Sequence, residues 1–300
     1  MLGQAFAPAK VNLFLHVGGP GADGYHPLCS LMVFADVGDQ VSLSPAEALS
    51  FSLTGPFAGQ LAGQLAGQGD NLVVRAANAM LAQVRGPRAP LLLALEKRLP
   101  IAAGLGGGSS DAGAALRLLR GAWAPDMSDE ALQALASGLG ADGAACLWGA
   151  PVLATGRGDI LAPAPRLPVM PAVLVNPRVE APTGAVYRGF DALSQFGDVA
   201  PPPLPDDFET VEELAGWLSL QRNDLEAAAE AVAPQIGDVL ATLRSGPETL
   251  LARMSGSGAT CFALCASDIE AEQLAEDLER MRPDWWVRRC RLGGPWADPA

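Results

Sequence analysis

The chain has 300 residues, of which 49% are hydrophobic and 18% charged, and its formal net charge is −13. This composition is typical of a globular protein with one large or two medium-sized domains, and it excludes a disordered chain. The sequence contains no basic patch and no apolar run of about eighteen residues, which argues against a nucleic-acid partner and against a membrane span.

The cysteines and histidines argue against a disulfide framework and against a metal centre. The five cysteines include no C-x-x-C pair, and the only histidines are His16 and His26. We therefore expect buried free thiols in a reducing compartment and no metal held by protein ligands. The N-terminus has no signal-peptide pattern, which favours the cytoplasm, and the oligomeric state is left open.

The first predicted element is a β-strand at residues 9–17. Apolar and polar side chains alternate there, which places Lys10 and Asn12 on one face of the strand. A glycine-rich turn follows at 18–24, and residues 31–44 have the composition of one or two further strands.

The next stretch combines a repeat, a helix and a strand. Residues 58–69 repeat the four-residue unit AGQL, which is too short for a solenoid repeat, and we interpret them as a flexible insert. Apolar spacing at 71–81 predicts a helix that Asp70 or Asn71 could cap, and residues 91–95 predict a buried strand.

Two more helices are predicted before the middle of the chain. One should follow the glycine-rich segment 103–113, and the other should run from Ser128 to Leu139 and stop at Gly140. Asp142 comes directly after that stop.

Two proline-rich segments divide the second half. Residues 162–171 predict a domain boundary, and residues 200–206 predict a loop. Strands and helices mix without regular alternation, which favours an α+β protein of two domains, 1–161 and 162–300, over a doubly wound sheet. The later predicted elements are helices that begin near Asn223 and Ser267, each with a capping-box Glu three residues on, and strands at 260–264 and 286–290.

The strongest signal for function is the segment GLGGGSS at 104–110. Its four glycines let the backbone approach a ligand closely, and the helix that follows offers N-terminal amides and a dipole that favour an anion. The segment therefore predicts phosphate binding. It lacks the lysine of a Walker A loop, and position 109 is serine where a dinucleotide fingerprint would need glycine, so neither common phosphate loop fits.

Several segments together resemble the superfamily of galactokinase, homoserine, mevalonate and phosphomevalonate kinases, the GHMP kinases. They are PAKVNLFLHVGGPGADGYHPLCSL, KRLPIAAGLGGGSSDAGAALRLL, LGADGAACLWG, NPRVEAPTGAVY and MSGSGATCFAL. The resemblance implies a two-domain GHMP-kinase-like fold with its active site in the cleft between the domains. The PAK-x-N-L and DGYH motifs are most similar to members that phosphorylate a cytidine diphosphate-linked methylerythritol for non-mevalonate isoprenoid synthesis.

The resemblance also implies a catalytic pair and an acceptor site. Lys10 matches the catalytic lysine beside the acceptor hydroxyl, and Asp142 matches the base that takes the hydroxyl proton. The cytosine would stack between two tyrosine rings, with a histidine at its polar edge. The implied substrate contacts are Asn12, Tyr25, His26, Thr183 and Tyr187.

ATP is the implied co-substrate. Mg²⁺ should accompany it and be held mostly by phosphates and water, because the sequence has no carboxylate-rich cage and hence no metal-ligating residue. The segment SGSGAT at 255–260 would be a second glycine loop that closes over the active site. The residues implied around ATP are Asn71, Lys97, Gly104, Leu105, Gly106, Gly107, Gly108, Ser109 and Ser110.

One departure from the family pattern concerns the residues after Asp142. Gly143 and Ala144 stand where the family usually has Val-Pro, so we expect a looser backbone beside the catalytic carboxylate. Two alternatives stay open at this point. One is a sibling kinase for homoserine or mevalonate, which would need no pyrimidine clamp. The other is a non-catalytic ligand sensor on the same fold.

Overall fold

The computed structural model describes residues 1–22, 24–68, 71–86, 88–193 and 195–298, without the side chains of 64–68. The strands are Gly3–Val17 (β1), Leu28–Pro45 (β2), Ser50–Thr54 (β3), Leu91–Glu96 (β4), Val152–Thr155 (β5), Ile160–Pro163 (β6), Met170–Asn176 (β7), Leu251–Met254 (β8), Cys261–Leu264 (β9) and Trp286–Gly293 (β10). The helices are Ala58–Gln68 (α1), Leu72–Gln83 (α2), Gly107–Trp123 (α3), Asp129–Leu139 (α4), Gly143–Trp148 (α5), Thr183–Leu193 (α6), Val211–Ser219 (α7), Glu226–Val232 (α8), Gln235–Ser245 (α9) and Asp268–Met281 (α10).

The long hairpin of β1 and β2 is the frame of the N-terminal half. The two strands pair antiparallel from Gly3 opposite Leu43 to Val17 opposite Leu28. The segment expected to hold one or two strands is thus one strand of 18 residues. The pairing register shifts near Lys10 and again between Asn12 and Phe14, and such bulges re-aim side chains along a strand.

One sheet runs through both halves of the chain. Its strand order is β3-β4-β2-β10-β7-β9-β8, with β1 and β5 also paired to β2 and β6 paired to β5. The C-terminal strand β10 joins the halves, because it pairs with β7 along its length and with β2 at Ala35 and Phe34. The division at residue 161 stays a prediction.

The helices cover the sheet and bury three main clusters of apolar side chains. In the first half α2, α3 and α4 pack against β1, β2 and β4, and Leu116 and Leu119 of α3 are fully buried. Burial of such a side chain contributes about 1.5–3 kcal/mol. In the second half α6, α8, α9 and α10 cover β7, β8 and β9. A third cluster takes residues from both halves and from α7, so this part of the core is shared by the two halves of the chain.

Two predicted helix starts are confirmed by their capping residues, and two other predicted elements differ from the structure. Ser128 and Ser267 cap α4 and α10 through their side chains, as expected. Asn223 does not cap a helix: its side chain accepts from the Leu225 amide in a turn, and α8 begins three residues later. The AGQL segment was expected to be flexible, yet residues 58–68 form α1: alanine, leucine and glutamine are strong helix formers, and packing of Leu61 against the N-terminal core offsets the cost of the three glycines.

Three further predictions can be compared with the structure. Asn71 caps α2, since its side chain accepts a hydrogen bond from the Val73 amide at 2.7 Å. Asp70, the other candidate cap, and Gly69 lie outside the described residues. The five cysteines are free and buried. No helix within the described ranges has both the length and the apolar character needed to cross a bilayer.

Candidate active site

A cavity of about 630 Å³ opens where β1, the start of α3, the β8–β9 loop and the start of α6 meet. This volume is within the usual range for small-molecule sites. Segments from both halves of the chain contribute to its walls. The residues that line it include Lys10, Asn12, Leu61, Asn71, Lys97, Gly104, Leu105, Gly106, Gly107, Gly108, Ser109, Asp111, Asp142, Arg157, Thr183, Tyr187, Gly256 and Ser257.

The glycine loop lies on one wall of this cavity. Gly104 and Gly106 have φ values of 74° and 61°, a region that favours glycine. Gly106 precedes α3 and gives it no side-chain cap, so the first amides of the helix and its positive end border the cavity. Such a helix start is suited to an anion. Ser109 borders the cavity, whereas Ser110 is buried behind it.

The second glycine loop packs directly against the first. A Cβ on Gly104 would lie 2.3 Å from the carbonyl oxygen of Ser255, so only glycine fits there. The Ser255 hydroxyl donates to the Gly104 carbonyl at 3.0 Å. Further along the loop, the hydroxyls of Ser257 and Thr183 are 2.9 Å apart. These contacts connect both loops to the start of α6.

Lys10 and Asn12 point to the same side of β1, as their spacing predicts. The Lys10 ammonium donates to Asn12 Oδ1 at 2.7 Å and lies 3.2 Å from Asp142 Oδ2. Asn12 in turn donates to the Ser30 hydroxyl at 2.7 Å, which fixes its amide. Lys10 is only 4% exposed, so its charge and its partners are held in place at the cavity wall.

The backbone beside Asp142 is tightly packed, and the expected looseness is wrong. Asp142 is the last residue before α5, and a Cβ on Gly143 would lie 1.9 Å from the Ala136 carbonyl oxygen of α4. Ala144 is buried as well. Glycine at 143 therefore permits a close contact between α4 and α5, and that contact holds the backbone of Asp142.

Lys97 is not a free cation beside the cavity. Its ammonium is 2.5 Å from Asp39 Oδ2 and 2.7 Å from Asp111 Oδ2, and all three side chains are buried. The two carboxylates raise the pKa of Lys97 against the opposing effect of burial. The group lies directly behind the glycine loop, because a Cβ on Gly107 would be 3.0 Å from Lys97 Nζ.

Asn71 lies on an apolar part of the cavity wall. It is mostly buried, caps α2 and borders the cavity together with Leu61 and Leu72. Leu61 belongs to α1, so the AGQL helix contributes to this wall. Apolar side chains with one amide suit a flat heteroaromatic ring.

His26 and Tyr187 come together although they are far apart in the sequence. Their ring centroids are 5.0 Å apart, and His26 Nδ1 is 2.8 Å from the Gly18 carbonyl oxygen. His26 Nε2 is 3.3 Å from Asp191 on α6. Burial, with a smaller effect of Asp142, raises the pKa of Tyr187 to about 12, so its hydroxyl stays protonated.

Tyr25 lies in the turn between β1 and β2 and is 58% exposed. The guanidinium carbon of Arg157 is 4.6 Å from the centre of its ring, a cation–π distance. Arg157 therefore covers one face of Tyr25. A base stacked between Tyr25 and Tyr187, as expected, could contact only the other face of the Tyr25 ring.

Asp39, Asp111 and Arg157 are site residues that the sequence reasoning did not select. Asp111 directly follows the serines of the glycine loop, which is a local signal. Arg157 lies between two glycines in the β5–β6 turn, which is a weaker signal. Asp39 lies in a long apolar strand, and only the fold brings it to Lys97.

Comparisons with known proteins agree with this geometry. The model of the GHMP kinases N terminal domain matches residues 71–150, and that of the GHMP kinases C terminal matches residues 204–284. The 4-diphosphocytidyl-2-C-methyl-D-erythritol kinase of Caulobacter sp. (strain K31) is 66% identical, over 98% of this chain and 99% of its own. The kinase of the same name from Hyphomonas neptunium is 49% identical, over 97% and 96%.

Solved structures give the same picture. A crystal structure of 4-(cytidine 5'-diphospho)-2C-methyl-D-erythritol kinase has a TM-score of 0.77 and 33% identity, and covers 98% of this chain and 100% of its own. The mevalonate kinase of Methanococcus jannaschii has a TM-score of 0.68 at 12% identity, over 97% and 98%, which supports the fold alone.

The two-domain α+β fold and the doubled glycine loop define a small-molecule kinase of the GHMP class, which confirms the fold expected from the motifs. Within that class, the chain belongs to the family of 4-diphosphocytidyl-2-C-methyl-D-erythritol kinases.

Proposed function

We propose that this kinase transfers the γ-phosphoryl group of ATP to the 2-hydroxyl of 4-diphosphocytidyl-2-C-methyl-D-erythritol, a step in the non-mevalonate synthesis of isoprenoid precursors. The contact between Lys10 and Asp142 carries the proposal: their charged atoms are 3.2 Å apart at the wall of the cavity that the glycine loop borders. One carboxylate and one ammonium are the groups that this transfer needs at the acceptor oxygen.

The proposed mechanism depends on position and charge. Asp142 takes the proton of the acceptor hydroxyl, and Lys10 offsets the negative charge that builds up between the acceptor oxygen and the phosphoryl group. Asn12 fixes the Lys10 ammonium through a 2.7 Å hydrogen bond and contacts the polyol. The amides at the start of α3 bind the ATP phosphates, and the β8–β9 loop holds the glycine loop in place.

Mg²⁺ would enter with ATP and neutralise phosphate charge. The described residues contain no group of three or more metal-ligating side chains close enough to hold a cation. A cation held mainly by phosphate and water oxygens fits these residues.

The adenosine would lie against the apolar wall near Asn71 and Leu61, with Lys97 behind the phosphate loop rather than in contact with the base. At the other end, Tyr187 would stack on the cytosine and Thr183 would contact the substrate. His26 Nε2 would have to exchange or share its contact with Asp191 to bind the base edge. The five buried free cysteines support a reducing compartment, and we propose the cytoplasm.

The two alternatives are disfavoured by particular observations. A sibling homoserine or mevalonate kinase would not need the contact between His26 and Tyr187 beside the cavity. A ligand sensor without catalysis would not need Lys10 and Asp142 held in contact.

A substrate panel tests the proposal directly. With ATP and Mg²⁺, ADP release should follow addition of the cytidyl-linked methylerythritol and not addition of homoserine, mevalonate or galactose. ADP release with one of the three other alcohols, and none with the cytidyl compound, would overturn it.

Tyr187→Ala should raise the KM for the cytidyl substrate by several-fold to about a hundredfold, because a stacked base gains about 1–3 kcal/mol from an aromatic face. The KM for ATP should not change, since the tyrosine lies at the acceptor end. Tyr187→Phe is the matched control and should be nearly silent, because the ring face stays. Steady-state kinetics with the other substrate saturating give the KM for the cytidyl substrate and the KM for ATP. A rise in the KM for ATP alone would contradict stacking of the cytosine on Tyr187.

Gly107→Val should weaken ATP binding by about tenfold or more, since its Cβ would lie 3.0 Å from Lys97 Nζ and its methyl groups would crowd the amides of the loop. Gly121→Val in the same helix is the control, because an added Cβ there meets no atom within 4 Å. Calorimetric titration with MgATP measures both variants. Unchanged affinity in a folded Gly107→Val protein would place the phosphates elsewhere.

A further inference from the structure

The side chain of Asn223 makes contacts that the proposed mechanism does not use. Asn223 is 7% exposed, and its Nδ2 donates to the carbonyls of Met254 at 2.8 Å and Gly256 at 2.9 Å. Its Oδ1 accepts from the Leu225 amide at 3.0 Å. Carbonyls only accept and a backbone amide only donates, so these partners fix the orientation of the side-chain amide. Asn223 therefore uses both of its side-chain N–H groups to hold the loop between β8 and β9.

Glu226 holds the same point of the chain by a different group. Its Oε2 accepts from the Met254 amide at 3.2 Å, and its Oε1 accepts from Arg244 of α9 at 2.7 Å. The spacing that predicts a capping box thus has another use, since Asn223 binds the carbonyl of Met254 and Glu226 binds its amide. Met254 is the last residue of β8, so the two side chains fix the point where the second glycine loop begins.

The backbone around Asn223 pairs with β1, the strand that carries Lys10. The Leu15 amide donates to the Arg222 carbonyl, and the Asp224 amide donates to the Leu15 carbonyl, both at 2.9 Å. These two hydrogen bonds place Asn223 opposite Leu15. Because its backbone is paired to β1 and its side chain holds the loop, Asn223 fixes the position of the second glycine loop relative to β1.

The second glycine loop contacts both sides of the site. Ser255 Oγ accepts from the Asn12 amide at 3.2 Å and donates to the Gly104 carbonyl at 3.0 Å. Two residues further on, Ser257 lines the cavity, and its hydroxyl is 2.9 Å from that of Thr183. A shift of this loop would therefore move the phosphate side and the acceptor side of the cavity relative to each other.

We propose that Asn223 is a positioning residue for the phosphoryl transfer: its amide holds the second glycine loop in the conformation that aligns the acceptor hydroxyl with the ATP phosphates. Asn223 does not line the cavity, so it acts through the loop and not by contact with a substrate. A misplacement of about 1 Å between reacting groups can cost about a hundredfold in rate. The inference rests on the proposed function, because it takes phosphoryl transfer as the reaction that the loop aligns.

Asn223→Asp tests the two donated hydrogen bonds. The carboxylate has the size of the amide and can still accept from the Leu225 amide, but it has no N–H groups and its charge would face two carbonyl oxygens. The loop should move away from the carboxylate, and kcat with the cytidyl-linked methylerythritol should fall by about tenfold to a hundredfold. The Kd for MgATP should change little, because the amides at the start of α3 belong to another segment.

Asn176→Asp is the matched control. Asn176 is 2% exposed, and its Oδ1 accepts from the amide of Arg178, two residues on, just as Asn223 accepts from Leu225. Its Nδ2, however, donates to the Thr260 hydroxyl at 2.9 Å. A hydroxyl can turn and donate to a carboxylate, whereas a carbonyl cannot. Both variants bury a new carboxylate and should be less stable than the wild type, but Asn176→Asp should keep a near wild-type kcat.

Steady-state kinetics with both substrates saturating give kcat for each variant, on protein that circular dichroism shows to be folded at the assay temperature. Calorimetric titration gives the Kd for MgATP. A near wild-type kcat in folded Asn223→Asp, an equal loss in Asn176→Asp, or a loss confined to ATP affinity would overturn the proposal. If Asn223→Asp does not fold, Asn223→Ala replaces it under the same criteria, because it removes both donors without adding a charge, and its kcat should fall by about tenfold.

The same assays separate this inference from the proposed function. Turnover of the cytidyl substrate by the wild type, without a selective loss in Asn223→Asp, contradicts the role of Asn223 and leaves the kinase proposal intact. Absence of turnover by the folded wild-type protein contradicts both.

Discussion

Asp142→Asn should lower kcat by about 10²–10⁴-fold while leaving the Kd for ATP nearly unchanged. The amide has the size of the carboxylate but cannot accept the proton of the acceptor hydroxyl. Lys10 keeps its 2.7 Å hydrogen bond to Asn12, so its ammonium stays at the wall of the cavity. The loss should therefore fall on the chemical step rather than on ATP binding. Single-turnover phosphoryl transfer, with both substrates saturating, measures that step, and calorimetric titration measures ATP affinity.

The control for this experiment is Asp126→Asn, the same substitution at an exposed aspartate that does not line the cavity. It should keep wild-type turnover. If Asp142→Asn also turns over at near wild-type rate, Asp142 is not the base. A parallel loss of ATP affinity in Asp142→Asn would instead indicate that the carboxylate orders the site before chemistry.

Local sequence signals were enough to predict most strands and helices of this fold. The alternation at 9–17 predicts both the strand and the shared side of Lys10 and Asn12, since side-chain direction in a strand has a period of two. Ser128 and Ser267 mark their helix starts because a cap is a contact within one turn. The end of α4 near Gly140 is likewise a local feature.

The signals failed where one local pattern has two structural outcomes. Asn223 followed by Glu226 has the spacing of a capping box, but the Asn223 amide is used in the turn and bonds the carbonyls of Met254 and Gly256. The AGQL repeat reads as a flexible insert by its low complexity and as a helix by its propensities. Packing of Leu61 against the N-terminal core favours the helix, and no local rule anticipates that contact.

Site residues, too, fall into those that the sequence predicts and those that it does not. The glycine loop could be found because it is a short motif with chemical meaning, and the pair of Lys10 and Asp142 followed from the resemblance to the GHMP kinases. The partners of Lys97 could not, since Asp39 is 58 residues away in sequence and its carboxylate reaches the lysine only through pairing of β2 with β4. Gly143 is a third case. This departure from the family motif predicts a looser backbone, but in the structure the glycine permits a close contact between α4 and α5.

Lys97→Met should lower the free energy of unfolding by about 3–5 kcal/mol near neutral pH, because it removes the cation from a buried group and leaves carboxylate charge without compensation. Methionine has nearly the length of lysine, so the loss of packing is small. Arg98→Met is the matched control: this neighbouring side chain is about half exposed and pairs with Glu96 at the surface, and such a pair contributes about 0–1 kcal/mol. Urea unfolding curves of both variants and the wild type give the comparison.

The deficit of Lys97→Met should also depend on pH in one direction. Burial, with Asp39 acting in the same direction and Lys97 against it, raises the pKa of Asp111 to about 8 in the wild type, and loss of the ammonium should raise it further. Between pH 7 and pH 9 the folded wild type therefore releases the Asp111 proton while the folded variant keeps it, so the stability of the variant falls more steeply as the pH rises. The gap in unfolding free energy between the wild type and Lys97→Met should thus be wider at pH 9 than at pH 7. A gap that is the same at both pH values, or a Lys97→Met protein as stable as Arg98→Met, would show that the charge of Lys97 does not hold this group together.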